Sequence, residues 1–345
     1  GLAVPAAAGA EALAESIDAK LSQLERDSGF AGVVLVATPA GVLLEKGFGL
    51  ADREAGVPFT PATVSTVGSI TKQFTGAAIL ALREEGRLAL GDPLHRFFPA
   101  APPDKRSITL HQLLTHTAGF PGHLGADEDY VGRVAYLDLA FSAELLFEPG
   151  SRHRYSNVGY SILAAVIEGL TGGSYEAYLR ARFFDPLGMT DTGYTMPDWD
   201  LRRVAKGYRK EAVYGRVLDK QAASGRGFSW HLVGNGGIHS TVRDLGRWVV
   251  ALRRGEVLEE ESLRLLFGRH VDEGGGDSFY GYGWVTFELP SGETMIGHDG
   301  GNGYLFADLN LFPERADLFF AILVNDPRSV AASGWIRRLI ETSDD

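Results

Sequence analysis

Apolar residues recur at helical spacing near the start of the chain. Leu13, Ile17, Leu21 and Leu24 fall on one face of a segment from Glu11 to about Arg26, which predicts an amphipathic surface helix. The pattern then changes. Val33-Val34-Leu35-Val36 and Val42-Leu43-Leu44 are short runs rich in β-formers, separated by Pro39-Ala40-Gly41, and this predicts a hairpin. The same signal returns near the other end. Trp284 to Leu289, a Pro290-Ser291-Gly292 turn, Thr294 to Ile296, Tyr304 to Phe312 and Leu318 to Val324 read as strands, followed by a helix from about Ala331 to Ile340. Between these ends the period is helical. Thr71 to Glu85 is stopped by Gly86, Leu110 to Leu114 begins a second helix, and Ser161 to Leu170 is closed by Thr171-Gly172-Gly173. Thr241-x-x-Asp244 has capping-box character ahead of Leu245 to Leu252.

Strands at both ends with helices between them predict an α/β (α+β) fold. Both termini join one antiparallel sheet flanked by the first and last helices, and the middle forms a mainly helical lobe. The expected boundaries are 11–60 and 280–345 for the sheet lobe, 61–279 for the helical lobe and 1–10 for a flexible N-terminal segment. Gly274-Gly275-Gly276 reads as a flexible loop. The functional site is expected where the two lobes meet.

Composition removes several function classes. The chain has 345 residues, 45% hydrophobic and 22% charged, which is ordinary globular composition. Its net charge of -11, from 44 acidic against 33 basic residues, is spread along the chain and argues against a nucleic-acid partner. Cysteine is absent, which excludes disulfides, a thiol nucleophile and cysteine-held zinc or iron-sulfur centres. No His-Glu-x-x-His or comparable ligand pattern occurs, so neither a metal nor another cofactor is expected. No apolar run approaches the roughly 20 residues of a transmembrane segment. Leu2 to Ala8 has the composition of the small-residue end of a secretory signal, or of a plain Ala-rich terminus. The first reading points to a periplasmic or secreted protein, the second to a cytoplasmic one.

Three short motifs carry candidate chemistry. Ser69-Ile70-Thr71-Lys72 is the one Ser-x-x-Lys in the chain and sits where a Gly68-containing loop turns into a helix. Ser69 and Lys72 are then about one turn apart on one face, and the helix N-terminus favours negative charge near the serine. The simpler alternative is an N-cap serine followed by an exposed lysine. Tyr155-Ser156-Asn157 is the one Tyr-x-Asn, at a loop-to-helix junction. There a tyrosine can pass a proton and an asparagine can orient a lysine or hold a substrate amide, unless both are packing and capping residues. His298-Asp299-Gly300-Gly301 lies between predicted strands, where glycine often marks close approach of backbone to ligand. The amides of Ser69 and Gly301 would suit an oxyanion hole, although a Gly-rich surface hairpin would look the same.

Taken in order, Ser-x-x-Lys, Tyr-x-Asn and His-x-Gly resemble the serine β-lactamase and penicillin-binding protein superfamily. The likeness is to the class C-like branch that also holds DD-carboxypeptidases, D-aminopeptidases and family VIII esterases. It extends through Gly32 to Val36, Ile108 to Gly119, Pro186 to Met189 and Gly236 to Leu245, and covers about residues 12 to 340. The resemblance implies that Ser69 is the nucleophile, Lys72 the general base, Tyr155 a proton shuttle, Asn157 an orienting group and His298 a wall of the cleft, with Gly300 and Gly301 against the substrate. Which of Lys72 and Tyr155 takes the serine proton stays open at this point. His116 is expected to be structural. The implied partner is a small-molecule ester, β-lactam or peptide-like substrate, with water freeing the acyl-enzyme. Efficient β-lactamase activity and a non-turnover acyl trap or sensor are the alternatives. Many β-lactamases carry a lysine where His298 stands, and a histidine is mostly neutral at pH 7, which favours esters and peptides. An α/β-hydrolase is excluded by the lack of any Gly-x-Ser-x-Gly.

Overall fold

The computed structural model describes residues 5–343. The helices that order the fold around the sheet include α1 (Pro5–Ser28), α2 (Thr71–Glu84), α3 (Leu110–Leu114), α4 (Asn157–Thr171), α5 (Val242–Arg253) and α6 (Ala331–Thr342). Helix α1 begins at Pro5, within the segment 1–10 that the sequence pattern sets apart. Proline is well tolerated at a first helical position and the following alanines have the highest helix propensity. Residues 1–4, with the first part of the signal-like stretch, lie outside the described residues. Among the described residues no helix is long and apolar enough to cross a membrane.

The eight strands of the main sheet are β1 (Gly32–Thr38), β2 (Gly41–Phe48), β3 (Val271–Asp272), β4 (Ser278–Tyr280), β5 (Val285–Glu288), β6 (Thr294–Gly301), β7 (Phe306–Phe312) and β8 (Leu318–Val324). Their order is β2-β1-β8-β7-β6-β5-β4-β3, every pair antiparallel. The N-terminal hairpin thus joins the C-terminal strands through β1 and β8, with Gly32 opposite Val324. Two strands, β3 and β4, come from residues 271–280, all but the last of which fall within the expected helical lobe. They are too short to show a period. The glycine run between them is held rather than loose, because the amides of Gly274, Gly275 and Gly276 all donate to Asp272 Oδ1.

Side-chain alternation sorts the sheet into two packed faces. Val34, Val36, Phe320, Ile322 and Val324 meet Leu13, Ile17 and Leu21 of α1 and Ile336 and Ile340 of α6. Val33, Leu35, Leu309, Leu311, Ala321 and Leu323 face the helical lobe and share one continuous core with it. Helix α2 is buried along nearly its whole length, as is α4, so these two form the centre of that lobe. Helix α6 is tied to the sheet by a polar contact as well. Asp308 of β7 is fully buried and accepts from Ser333, from Arg337 at 2.5 Å and from Asn310 at 2.7 Å.

The lobes meet where β6 touches the turn before α2. Gly68 has φ +51°, in the left-handed region that glycine tolerates, and a Cβ there would stand 2.4 Å from the Gly301 nitrogen. A Cβ on Gly300 would stand 2.2 Å from the Ser69 nitrogen. Backbone is therefore packed directly on backbone, and neither position has room for a methyl group.

Gly300→Ala is expected to destabilise the fold by about 2 kcal/mol or more, because the obstructing atoms are backbone and cannot rotate away. Gly334→Ala, where a Cβ meets nothing within 4 Å, should instead leave stability unchanged or raise it slightly, in line with helix propensity. Thermal melts of the two variants beside the parent check this, and equal melting temperatures would show that the contact is not tight. Asp308→Ala, which strands Arg337, should cost about 3 kcal/mol in chemical denaturation.

Candidate active site

The helix after Gly68 starts as a tight turn over Gly68–Ile70 and continues as α2, so Ser69 and Lys72 share a face as the sequence spacing required. Lys72 is fully buried. Its Nζ lies 3.0 Å from Ser69 Oγ, 2.8 Å from Asn157 Oδ1 and 2.8 Å from the carbonyl oxygen of Asn235. Burial holds the Lys72 ammonium well below the ordinary lysine value of 10.5, against a smaller opposing pull from Asp127 and Asp299.

The three neighbours define what a neutral Lys72 would do. A neutral amine has two N–H donors and one lone pair. Asn157 Oδ1 and the Asn235 carbonyl can only accept, so they take the two donors. The lone pair is left for Ser69, the one neighbour of the three with a proton to give.

Asn157 is delivered by the start of α4, where its own amide donates to the Gly122 carbonyl at 2.9 Å. Asn235 was not singled out from the sequence. It contributes a backbone carbonyl, which every residue has, so no residue-type signal marks it. Its side chain holds the loop, with Nδ2 donating to Ser161 Oγ and to the His231 carbonyl, each at 2.8 Å. The Asn-Gly-Gly run at 235–237 was the available hint.

Tyr155 lies beside this group, with Lys72 Nζ 4.7 Å from its ring centre. Its hydroxyl oxygen is buried and makes no hydrogen bond of normal geometry among the described residues, although Ser69 is close enough to stabilise it. Burial pushes the phenol above its usual range, so the phenolate is disfavoured. His116 packs on it at 4.2 Å between ring centres, and His116 Nδ1 accepts from the Ser156 amide at 3.1 Å. His116 therefore holds the Tyr-x-Asn loop in place, and it does so from a left-handed backbone with φ +58°.

A polar cavity opens in front of Ser69. Gly68, Asn157, Asn235, Gly236, Gly301 and Asn302 line it together with Asp127, Tyr214 and Gln221, and among the described residues no lysine or arginine does. Gly301 lines the cavity, and His298 and Gly300 do not. Gly300 is covered by the Ser69 turn, and His298 is buried and does not line the cavity around Ser69. The His298 ring lies beside Tyr155, 6.1 Å between ring centres, with Nε2 3.1 Å from Tyr280 Oη and Nδ1 2.6 Å from the Asp299 carbonyl. Burial, with the Lys72 charge nearby, lowers the His298 pKa to about 3. Its imidazole is neutral at pH 7. Among the described residues no group of three or more His, Asp or Glu is placed to hold a metal ion.

Comparison with known proteins places this geometry in a lineage. The chain is 31% identical over 273 residues to the "Putative penicillin-binding protein PbpX" of Bacillus subtilis (strain 168), covering 77% of this chain and 65% of that protein. It thus spans about two thirds of the length of that relative. The octameric penicillin-binding protein homologue from Pyrococcus abyssi superposes with a TM-score of 0.79 at 26% identity, over 96% of this chain and 78% of the other. The D-amino acid amidase from Ochrobactrum anthropi SV3 shares the fold, with a TM-score of 0.78 at 24% identity over 95% and 97% of the two chains. The Beta-lactamase family profile matches residues 17–342, and the chain belongs to the β-lactamase family.

Proposed function

We propose that this protein is a serine hydrolase that forms an acyl-enzyme on Ser69 from an ester or amide carbonyl. The observation that carries the reading is the buried Lys72 amine, 3.0 Å from Ser69 Oγ with both other contacts made to acceptors. In the neutral form Lys72 takes the Ser69 proton as Oγ bonds to the carbonyl carbon, and the charge that develops on the carbonyl oxygen falls to the Ser69 and Gly301 amides. Lys72 returns the proton to the leaving amine or alcohol by way of the Tyr155 hydroxyl, and the carbon to leaving-group bond breaks. Water then cleaves the ester, with Lys72 accepting its proton and Ser69 regaining one. The raised phenol makes Tyr155 a donor and relay, and leaves Lys72 as the base. Asn157 keeps the amine aimed.

A second reading has support in the name of the Bacillus subtilis relative: acylation by a β-lactam without release. Intact mass separates the two, since a persistent adduct marks the trap and turnover of a chromogenic ester marks the hydrolase.

Ser69→Ala is expected to abolish both ester turnover and labelling by a serine-directed phosphonate while the circular-dichroism spectrum stays that of the parent. Undiminished turnover would overturn the assignment. Lys72→Ala and Tyr155→Phe should each slow acylation by roughly 10²-fold or more, and the double variant should lose less than the product of the two, because one proton path serves both groups. In the parent, kcat/KM should rise with pH as Lys72 loses its proton and level off well below the 10.5 of an ordinary lysine, since only the neutral amine can accept. A profile still climbing at that pH would remove Lys72 as the base.

A further inference from the structure

The wall of the cavity at Ser69 carries a charge that the mechanism does not use. Asp127 is the one charged residue lining the cavity among the described residues, and its carboxylate has no ion-pair or hydrogen-bond partner there. It is not a loose surface group. Its backbone carbonyl accepts from Gln221 Nε2 at 2.8 Å, and buried Gln221 is itself fixed by accepting from the Ser229 amide at 2.9 Å. The adjacent Glu128 is engaged differently, accepting from the Tyr214 hydroxyl at 2.6 Å, while Tyr214 stacks on Tyr304 at 4.3 Å. This leaves Asp127 as the cavity-lining carboxylate without a partner among the described residues. The charged and titratable groups that act on it are Glu128, His123 and Lys72, and burial together with Glu128 raises its pKa. Lys72 cannot serve as its permanent counter-ion, because the same burial favours the neutral amine.

We infer that Asp127 is a specificity-determining residue that binds an ammonium group, and that the preferred substrates are amides or esters carrying a free amine within a few bonds of the scissile carbonyl, as in amino-acid amides and peptides with a free N-terminus. The amine must be close to the carbonyl because Asp127 and Ser69 line one cavity. A cation there takes the counter-ion position that no side chain fills, in a partly desolvated site where opposite charge is worth more than at an open surface. The same charge repels carboxylate-bearing substrates, and no lysine or arginine in the wall offsets it. The net charge of -11 adds a long-range attraction for cations.

The inference takes the position of the carbonyl from the serine-hydrolase reading, so its test has one arm that needs turnover and one that does not. In the first arm, kcat/KM at about pH 7, where an α-amine is largely protonated, is measured for alanine p-nitroanilide and N-acetylalanine p-nitroanilide, each as both enantiomers. The parent should prefer the free amine by about tenfold or more, Asp127→Asn should lose that ratio, and the charge-restoring Asp127→Glu should retain part of it. In the second arm, calorimetry with the Ser69→Ala protein should show alaninamide binding more tightly than N-acetylalaninamide, and adding Asp127→Asn should abolish the difference. A binding preference without turnover would sink the hydrolase reading and keep the assignment of Asp127. Equal rates for the two anilides, a preference that survives Asp127→Asn, or failure of either amide to bind in the absence of any anilide turnover would each overturn it.

Discussion

An amine sealed from water must find every hydrogen-bond partner within the protein, and the site is organised around that demand at Lys72. Its neighbours come from three parts of the chain, two of them distant in sequence: Ser69 one turn back, Asn157 at the start of α4 and the Asn235 carbonyl from a loop. Removing an ammonium from solvent costs several kcal/mol, and the protein can avoid that cost by letting the proton go. The same burial that keeps α2 in the centre of the helical lobe therefore supplies a base matched to a serine. Stability and reactivity share one cause here, which is why the lysine is surrounded by acceptors and not by a carboxylate.

The sheet contributes by contact rather than by charge. Strand β6 reaches the serine turn as bare backbone, with Gly300 against the Ser69 nitrogen and Gly68 against the Gly301 nitrogen. Side chains at either glycine would hold the lobes apart and separate the two amides proposed to share the oxyanion. Continuous packing of the sheet's inner face with the helices then keeps this distance constant. Behind the site the rings of His116, Tyr155, Tyr280 and His298 form a packed layer in which both histidines are held neutral by burial. With both imidazoles neutral, burial and not a neighbouring cation favours the neutral lysine.

Charge in the cavity is arranged with the opposite sign to what an anionic substrate would need. His298 is neutral and contacts Tyr280, and Asp127 lines the cavity. Of these two residues the sequence singles out only the first. His298 was legible because it begins a recognisable tripeptide, whereas Asp127 sits in a loop of mixed polar residues whose pattern marks nothing.

The hairpin at β1 and β2, the strands after Thr294, the buried helix after Ser69 and the Ser-x-x-Lys spacing were all written in local order. Alternation, apolar runs and a three-residue separation are properties of neighbours along the chain. The sequence also contained Tyr155, Asn157 and Gly301 as candidates, because each belongs to a short motif at a predicted junction. Tertiary structure decided what local order cannot express. It recruited the Asn235 backbone carbonyl, which carries no residue signature, and assigned β3 and β4 to the sheet although two or three residues show no period. It also turned His298 toward Tyr280, since whether a ring faces a cavity or a core depends on what packs against it. The depressed lysine is the clearest case: the residue type is in the sequence, but its proton affinity is set by the water that the rest of the chain excludes.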